Sequence, residues 1–445
     1  MSLMSLRRLS ALGSSVTLAY ALQAAGPAWA SSAAVGLQEA LDQALQTHPS
    51  ILEKRNNLEA ARHALSGARW MRFPNVVAEA SANPTTGPVQ VLRVDQPLWT
   101  GGRITANIAT TQAKLTAAES AFVDAQRQIL LRTTSLFAEL VRVGSRLDAA
   151  RENIAEHERL LGLIQRRSDS GIASPSEVVS AKARLQQART ELVQLQTAAL
   201  NARSELEQIT GMTIAEIKVP KPDLEAAPNV VELIDRAMAY SPELRRLAAE
   251  TVAASAEIDS RKAAILPKLS VRHEQLWGND RRTSASYVAL TMQTGNGLSA
   301  VSAISEAASQ RSAAMDREST TRRDIAVSVR NDWNKVLSAK AETAVLRELT
   351  ESTRDMYESF VRQYAAGRKS WLDVLNARSE SIKARNTLVD TEWNGMLASW
   401  RLQIATGDLS AGNLTRLSGG PGQGSDSGQR MQIGMAISAE PARRP

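Results

Sequence analysis

The side chains with the widest chemical scope are four histidines, His48, His63, His157 and His273, and two short runs that pair a serine with an acid three positions later. A metal centre needs ligands at set spacings, such as two histidines one helical turn apart or paired cysteines. The histidines stand in unrelated contexts and the chain has no cysteine, so the sequence offers no metal set, thiolate nucleophile or disulfide. Gly101-Gly102 lacks the Lys-Ser/Thr of a phosphate loop, and a tight backbone corner accounts for it. No motif couples serine, histidine and carboxylate into a hydrolytic set. The residues therefore describe a protein that is not an enzyme and that holds no cofactor.

The serine-acid runs are Ser174-Pro-Ser-Glu177 and Ser370-Trp-Leu-Asp373. Serine followed by an acid at the third position caps a new helix, and Pro175 suits a first helical position. Each run follows a glycine, Gly171 or Gly367, and the two glycines are 196 residues apart. Other landmarks recur at almost the same offset. His48-Pro49 and Pro74 return as Ser241-Pro242 and Pro267, shifted by 193, and Ile209-Thr-Gly211 returns as Ala405-Thr-Gly407. Val94, Leu98, Thr100 and Gly101 return as Val288, Met292, Thr294 and Gly295, shifted by 194. The chain is thus a tandem repeat, residues 31–225 and 226–416, and the repeat fixes how everything else is read.

Within each copy the hydrophobic period changes twice. A helix runs from Leu37 to Arg69, broken at His48-Pro49 because proline can begin a helix but not interrupt one. After Pro74 the period becomes two: Val76, Ala78, Ala80 and Ala82 alternate with Asn75, Glu79 and Ser81. Strand hairpins are predicted over 75–96 and 268–293. Trp70, Phe73, Trp99, Trp277 and Tyr287 fall near strand ends, where amphipathic rings favour a lipid-water boundary. Long helices follow over 102–168 and 297–366, with returns over 174–210 and 370–406. Leu115, Phe122, Ile129, Leu136, Val143 and Ala150 repeat every seven residues, and Leu185 to Ile209 step by threes and fours, the pattern of a coiled coil. His157 occupies a heptad step of the first long helix, as a seam or surface residue. The fold class is mainly α with a small β part.

Residues 1–30 join Arg7 and Arg8 to an apolar stretch and end in Ala28-Trp-Ala30, the form of a secretory signal peptide. Residues 417–445 are rich in glycine and polar residues, and a disordered tail is expected there. Of the net charge of +7, the leader carries +2 and the tail +1. The remaining +4 is dispersed among acids, which describes a solvated helical surface and excludes a nucleic-acid face.

Strand pairs of membrane-crossing length beside helices of about 100 Å, together with Val94-Asp-Gln-Pro-Leu-Trp-Thr-Gly-Gly-Arg103 and the Gly171 and Gly367 returns, resemble the TolC family of outer-membrane factors. Four strands cannot close a barrel, and the resemblance implies a homotrimer whose twelve strands do. It implies an outer-membrane location in a Gram-negative cell, with lipid around the barrel and a helical tunnel extending into the periplasm. The implied partners are a periplasmic adaptor (a membrane fusion protein) and an inner-membrane ABC or proton-driven transporter. Type I protein secretion is the expected system, favoured by the lack of a lipidated cysteine, with small-molecule efflux and an adaptor-like coiled-coil protein as the alternatives.

Carried over residue by residue, the resemblance implies a periplasmic gate at the helix returns. Asp373 stands at a lumen-facing acid position, Asn376 departs from a second acid, Glu177 is an acceptor, and Tyr364 and Lys369 are donors. The turns themselves are Gly171, Ser174, Gly367 and Ser370, and the strand-to-helix corner is Pro97, Gly101 and Gly102. Helix capping by Ser174 and Ser370 remains an equally physical account of the acids. The leader yields a direct expectation: protein recovered from the outer membrane has the mass of a chain beginning at Ser31, and a retained leader would contradict this.

Overall fold

The computed structural model describes residues 34–83, 87–221, 224, 229–278, 282–292 and 299–413. The expected leader, the expected tail and the second strand-to-helix corner around Gly295 and Gly297 lie outside them. In chain order the elements are α1 (Leu37–Thr47), α2 (Pro49–Trp70), β1 (Asn75–Asn83), β2 (Gly87–Trp99), α3 (Arg103–Asp169) and α4 (Pro175–Thr210). The second series is α5 (Val230–Tyr240), α6 (Pro242–Ile265), β3 (Lys268–Trp277), β4 (Arg282–Thr291), α7 (Ser299–Ala365) and α8 (Trp371–Thr406). Two helix-hairpin-helix copies therefore follow one another.

The breaks between α1 and α2 and between α5 and α6 are capped alike. His48 Nδ1 accepts from Ser50 N at 3.2 Å, and Ser241 Oγ accepts from Leu244 N at 3.2 Å, each ahead of a proline at the first helical position. A histidine thus serves here as a helix cap. At the first strand-to-helix corner β2 extends through Pro97, where a register shift between Pro97 and Trp99 accommodates a residue without an N–H. Gly101 turns the chain at φ +62°, and a Cβ there would lie 2.7 Å from Leu266 Cβ, so only glycine fits between α6 and α3.

The four strands form one antiparallel sheet in the order β1-β2-β3-β4. Register places Val76, Ala78, Leu92, Val94, Leu269, Val271, Val288 and Leu290 on one face. The opposite face carries ion pairs: Arg93 with Glu274 at 2.5 Å, and Asp95 with Arg272 at 3.0 Å and Lys268 at 3.7 Å. Trp99 pairs with Leu269 at the helix end of the apolar face, and Trp277 pairs with Gln90 at its far end. Tyr287 departs from expectation. It faces Arg272 on the charged side and donates to Glu274 Oε2 at 2.9 Å, so it belongs to the polar network and not to a lipid-boundary girdle. The single alternation step between Tyr287 and Val288 decides the matter.

Below the sheet the long helices pack side by side, α3 against α4 and α8, and α7 against α8, with α1 and α5 laid across them. Leu115, Ile129, Val143 and Ala150 of the seven-residue seam are buried, and Phe122 and Leu136 are partly so. Phe137 is fully enclosed and meets the Trp400 ring edge-on at 6.3 Å between centroids. The α4 seam is buried at both ends, at Leu185, Ala188, Leu206 and Ile209, while Leu192 and Leu195 are half-buried. On the outer sides of α4 and α7, Val193, Leu200, Val327 and Val345 are exposed. Phe137→Ala should lower stability by about 3–5 kcal/mol, and Leu200→Ala in the isolated chain by less than about 0.5 kcal/mol. Thermal melts of the two variants check the contrast.

Candidate functional site

Both helix returns are closed by the same pair of backbone bonds. Gly171 N donates to Ser168 O at 2.9 Å and Ile172 N to Arg167 O at 2.8 Å; Gly367 N donates to Tyr364 O at 3.0 Å and Arg368 N to Gln363 O at 2.8 Å. The glycines sit at φ +70° and +73°, the left-handed conformation this closure requires. Ser174 and Ser370 then cap α4 and α8.

The two serine-acid runs do different things. Asp373 completes a capping box: its carboxylate accepts from Ser370 N at 3.1 Å and Ser370 Oγ at 2.8 Å, while its own N donates to Ser370 Oγ at 3.2 Å. Those bonds, with the Lys369 charge, hold its pKa below the ordinary value. Glu177 N donates to Ser174 Oγ at 3.4 Å, but its carboxylate turns away and accepts from Tyr364 Oη at 3.1 Å. Burial, then the charge and hydrogen bond of Glu177, push the Tyr364 phenol upward, so it remains a protonated donor.

Glu177 and Tyr364 are therefore brought together across the two returns, and Lys369 is not. Its Nζ lies 4.4 Å from the Phe360 ring centroid, on the second return's own helix. The cation that joins Tyr364 is Arg167, whose guanidinium lies 4.9 Å from the ring centroid and whose Nη1 donates to Ala365 O at 2.8 Å. A carbonyl near the end of α7 is a favourable partner for a cation. The only sequence trace of this role was an arginine in the last turn of α3. Asn376 is exposed on α8 and is not among the groups that Tyr364, Glu177 and Arg167 contact.

Farther from the returns lies a second bridge, which sequence reasoning missed. Tyr357 Oη donates to Glu156, Arg159 reaches Glu156 at 2.6 Å, and the Arg378 guanidinium lies 5.2 Å from the Tyr357 ring centroid. Arg378 Nε donates to Asn153 Oδ1 at 3.0 Å. Tyr357 and Tyr364 are seven residues apart on α7, and that heptad step in a chain poor in aromatics was the available signal. Burial, followed by Glu156, raises the Tyr357 pKa. Burial acts to raise the Glu156 pKa too, but hydrogen bonds from Arg159 and Tyr357 outweigh it and hold the carboxyl below 4.5. Among the described residues no group of His, Asp and Glu could hold a metal ion, and no helix is long and apolar enough to cross a membrane.

A sheet with one apolar face, joined to 67-residue helices whose returns are bridged by hydrogen bonds, is the architecture of outer-membrane channel proteins. The chain belongs to the outer membrane efflux protein family, which matches residues 40–212 and 233–408, one stretch in each repeat. It is similar to the outer membrane protein TolC of Vibrio cholerae, 21% identical over 414 residues covering 87% of this chain and 94% of that one. The alkaline protease secretion protein AprF of Pseudomonas aeruginosa is 21% identical over 418 residues, covering 86% of each chain. The crystal structure of the outer membrane protein VceC from Vibrio cholerae shares the fold, with a TM-score of 0.73 at 17% identity over 83% of this chain and 96% of that one.

The Glu156 bridge sets a pH dependence. A carboxyl whose folded pKa is depressed contributes stability that is present above its unfolded value and lost as pH falls through the folded one. Glu156→Gln should therefore flatten the fall in stability on the acid side, below about pH 4.3, and leave the neutral range unchanged in slope. Thermal melts of the detergent-solubilised protein between pH 7 and pH 3 measure it, and an undiminished acid slope in the variant would contradict the assignment.

Proposed function

We propose that three copies of this chain assemble into an exit duct, in which three four-stranded sheets close a twelve-stranded barrel and the long helices continue it as a tunnel through the periplasm. The observation that carries this reading is the sheet itself. β1 and β4 each pair on one side only, and one face is apolar, so the strands require neighbours before they can enter lipid. The exposed apolar residues on α4 and α7 supply matching surfaces for adjacent copies. The charged face with Arg93, Asp95, Arg272 and Glu274 then lines water. A periplasmic adaptor and an inner-membrane transporter, an ABC or a proton-driven pump, complete the system and provide the energy, and the duct catalyses no reaction. Type I protein secretion is the system we favour, supported by the similarity along nearly the full length to a protein named for protease secretion.

In this duct the two returns form the inner entrance, and the Tyr364–Glu177 bond with Arg167 on Ala365 O holds it shut. Each such bond contributes about 1 kcal/mol, about fivefold in the closed-to-open ratio. The purified protein should have the mass of a trimer in detergent, and Tyr364→Phe combined with Arg167→Gln should raise its single-channel conductance in planar bilayers. Asp373→Ala should leave conductance low and reduce cation selectivity instead. A monomer that forms no channel would refute the duct, and a trimer whose conductance ignores the double variant would refute the latch.

A further inference from the structure

Between α3, α4 and α8, close to the returns, lies a cavity of about 180 Å³ whose walls include Asn153, His157, Arg184, Gln187, Asn376 and Arg378. Its polar groups include two guanidiniums, which are donors only. Among the described residues neither Arg184 nor Arg378 forms an ion pair: Arg184 Nη1 donates to Gln187 Oε1 at 3.1 Å, and Arg378 donates only through Nε, to Asn153. The neighbouring carboxylates make their direct bonds elsewhere, Glu156 to Arg159 and Tyr357, and Glu152 to Arg385, and act on Arg378 only through their charge. Glu191 alone contributes an acid to the wall.

Two guanidiniums therefore face one partly enclosed space without a direct ion pair: Arg378 senses Glu156 and Glu152 only at longer range and lies over the Tyr357 ring, and Arg184 is open to solvent, so both keep free N–H donors. Burial lowers the Arg378 pKa, and burial together with Arg378 and Arg184 lowers that of His157. Planar guanidiniums are also the donors best matched to two-oxygen anions, and neutral imidazole and amide N–H groups add directional bonds.

We propose that this cavity is an oxyanion site, taking a phosphate or carboxylate group between Arg378 and Arg184 with His157 and Asn376 as further polar contacts. Every contributing residue lies in one chain, so the site stands whether or not the chain forms a duct. In an assembled tunnel each copy would place one such site beside the entrance. There Asn376 adds no charge, and Glu191 is the acid in the wall that opposes the anion.

Calorimetric titration of the full-length protein in detergent, at constant ionic strength, with inorganic phosphate and separately with acetate, tests this. Phosphate should bind with a Kd of about 1 mM or tighter. Arg378→Gln and Arg184→Gln should each weaken it about tenfold, and Glu191→Gln should strengthen it. Arg184 is exposed, so its variant keeps the test sound even if Arg378→Gln fails to fold. Binding of phosphate alone identifies a free dianion as the ligand, whereas binding of acetate as well identifies the carboxylates of a passing polypeptide. No heat with either anion up to about 50 mM, or affinity indifferent to both arginine variants, would overturn the proposal.

Discussion

Among the described residues the outer edges of β1 and β4 have no neighbouring strand, and the rest of the structure depends on how those backbone groups are satisfied. In hydrocarbon each unpaired amide or carbonyl costs several kcal/mol. A sheet with one apolar face therefore cannot enter lipid alone, and it cannot rest in water with that face exposed. Closure with identical sheets satisfies both demands. Within one chain β2 and β3 lie adjacent and antiparallel although α3 to α6 intervene between them. Each copy contributes one hairpin, and the long helices carry the chain away from the sheet and back. The same two faces, apolar on one side and ion-paired on the other, follow from the two-residue period of the strands.

Much of this was legible in the sequence because it rests on periodicity. The hairpins and returns recur at the repeat offset, and Leu115, Ile129, Val143 and Ala150 of the seven-residue seam of α3 are buried, with Phe122 and Leu136 partly so. What could not be read was the partner of a side chain on another helix. Lys369 and Arg167 are both basic residues beside a return, and only the packing of α3 on the end of α7 shows that Arg167, not Lys369, joins Tyr364. Tyr287 was misplaced because an aromatic near a strand end carries two readings, and the register alone chooses between faces.

The two serine-acid runs show how one local motif can be put to two uses. In Ser370-Trp-Leu-Asp373 the short aspartate reaches back to the cap and stays there, its charge stabilised by Ser370. In Ser174-Pro-Ser-Glu177 the Ser174 hydroxyl bonds Ser176 Oγ at 2.6 Å and accepts from Glu177 N, so α4 is capped without help from the acid. The longer glutamate is then free to reach α7. Sequence similarity between the runs concealed a division of labour that follows from one methylene and one extra serine.

The distribution of packing says where the molecule can move. Around Phe137, Leu206 and Ile404 side chains are almost wholly enclosed and aliphatic or aromatic, so separating them would open cavities costing several kcal/mol per residue. Toward the returns the two helix pairs, α3 with α4 and α7 with α8, share a second buried apolar cluster, Leu160, Ile164 and Val178 with Val361, Trp371 and Val374, and polar bridges flank it: Tyr357 to Glu156, Tyr364 to Glu177, Arg167 to a backbone carbonyl. Each such bond exchanges readily for one to water, at a net cost of about 1 kcal/mol. Parting the returns would therefore break these polar bonds and also open the cluster around Ile164 and Val374, both fully enclosed, so the apolar contacts and not the polar pairs set most of the cost.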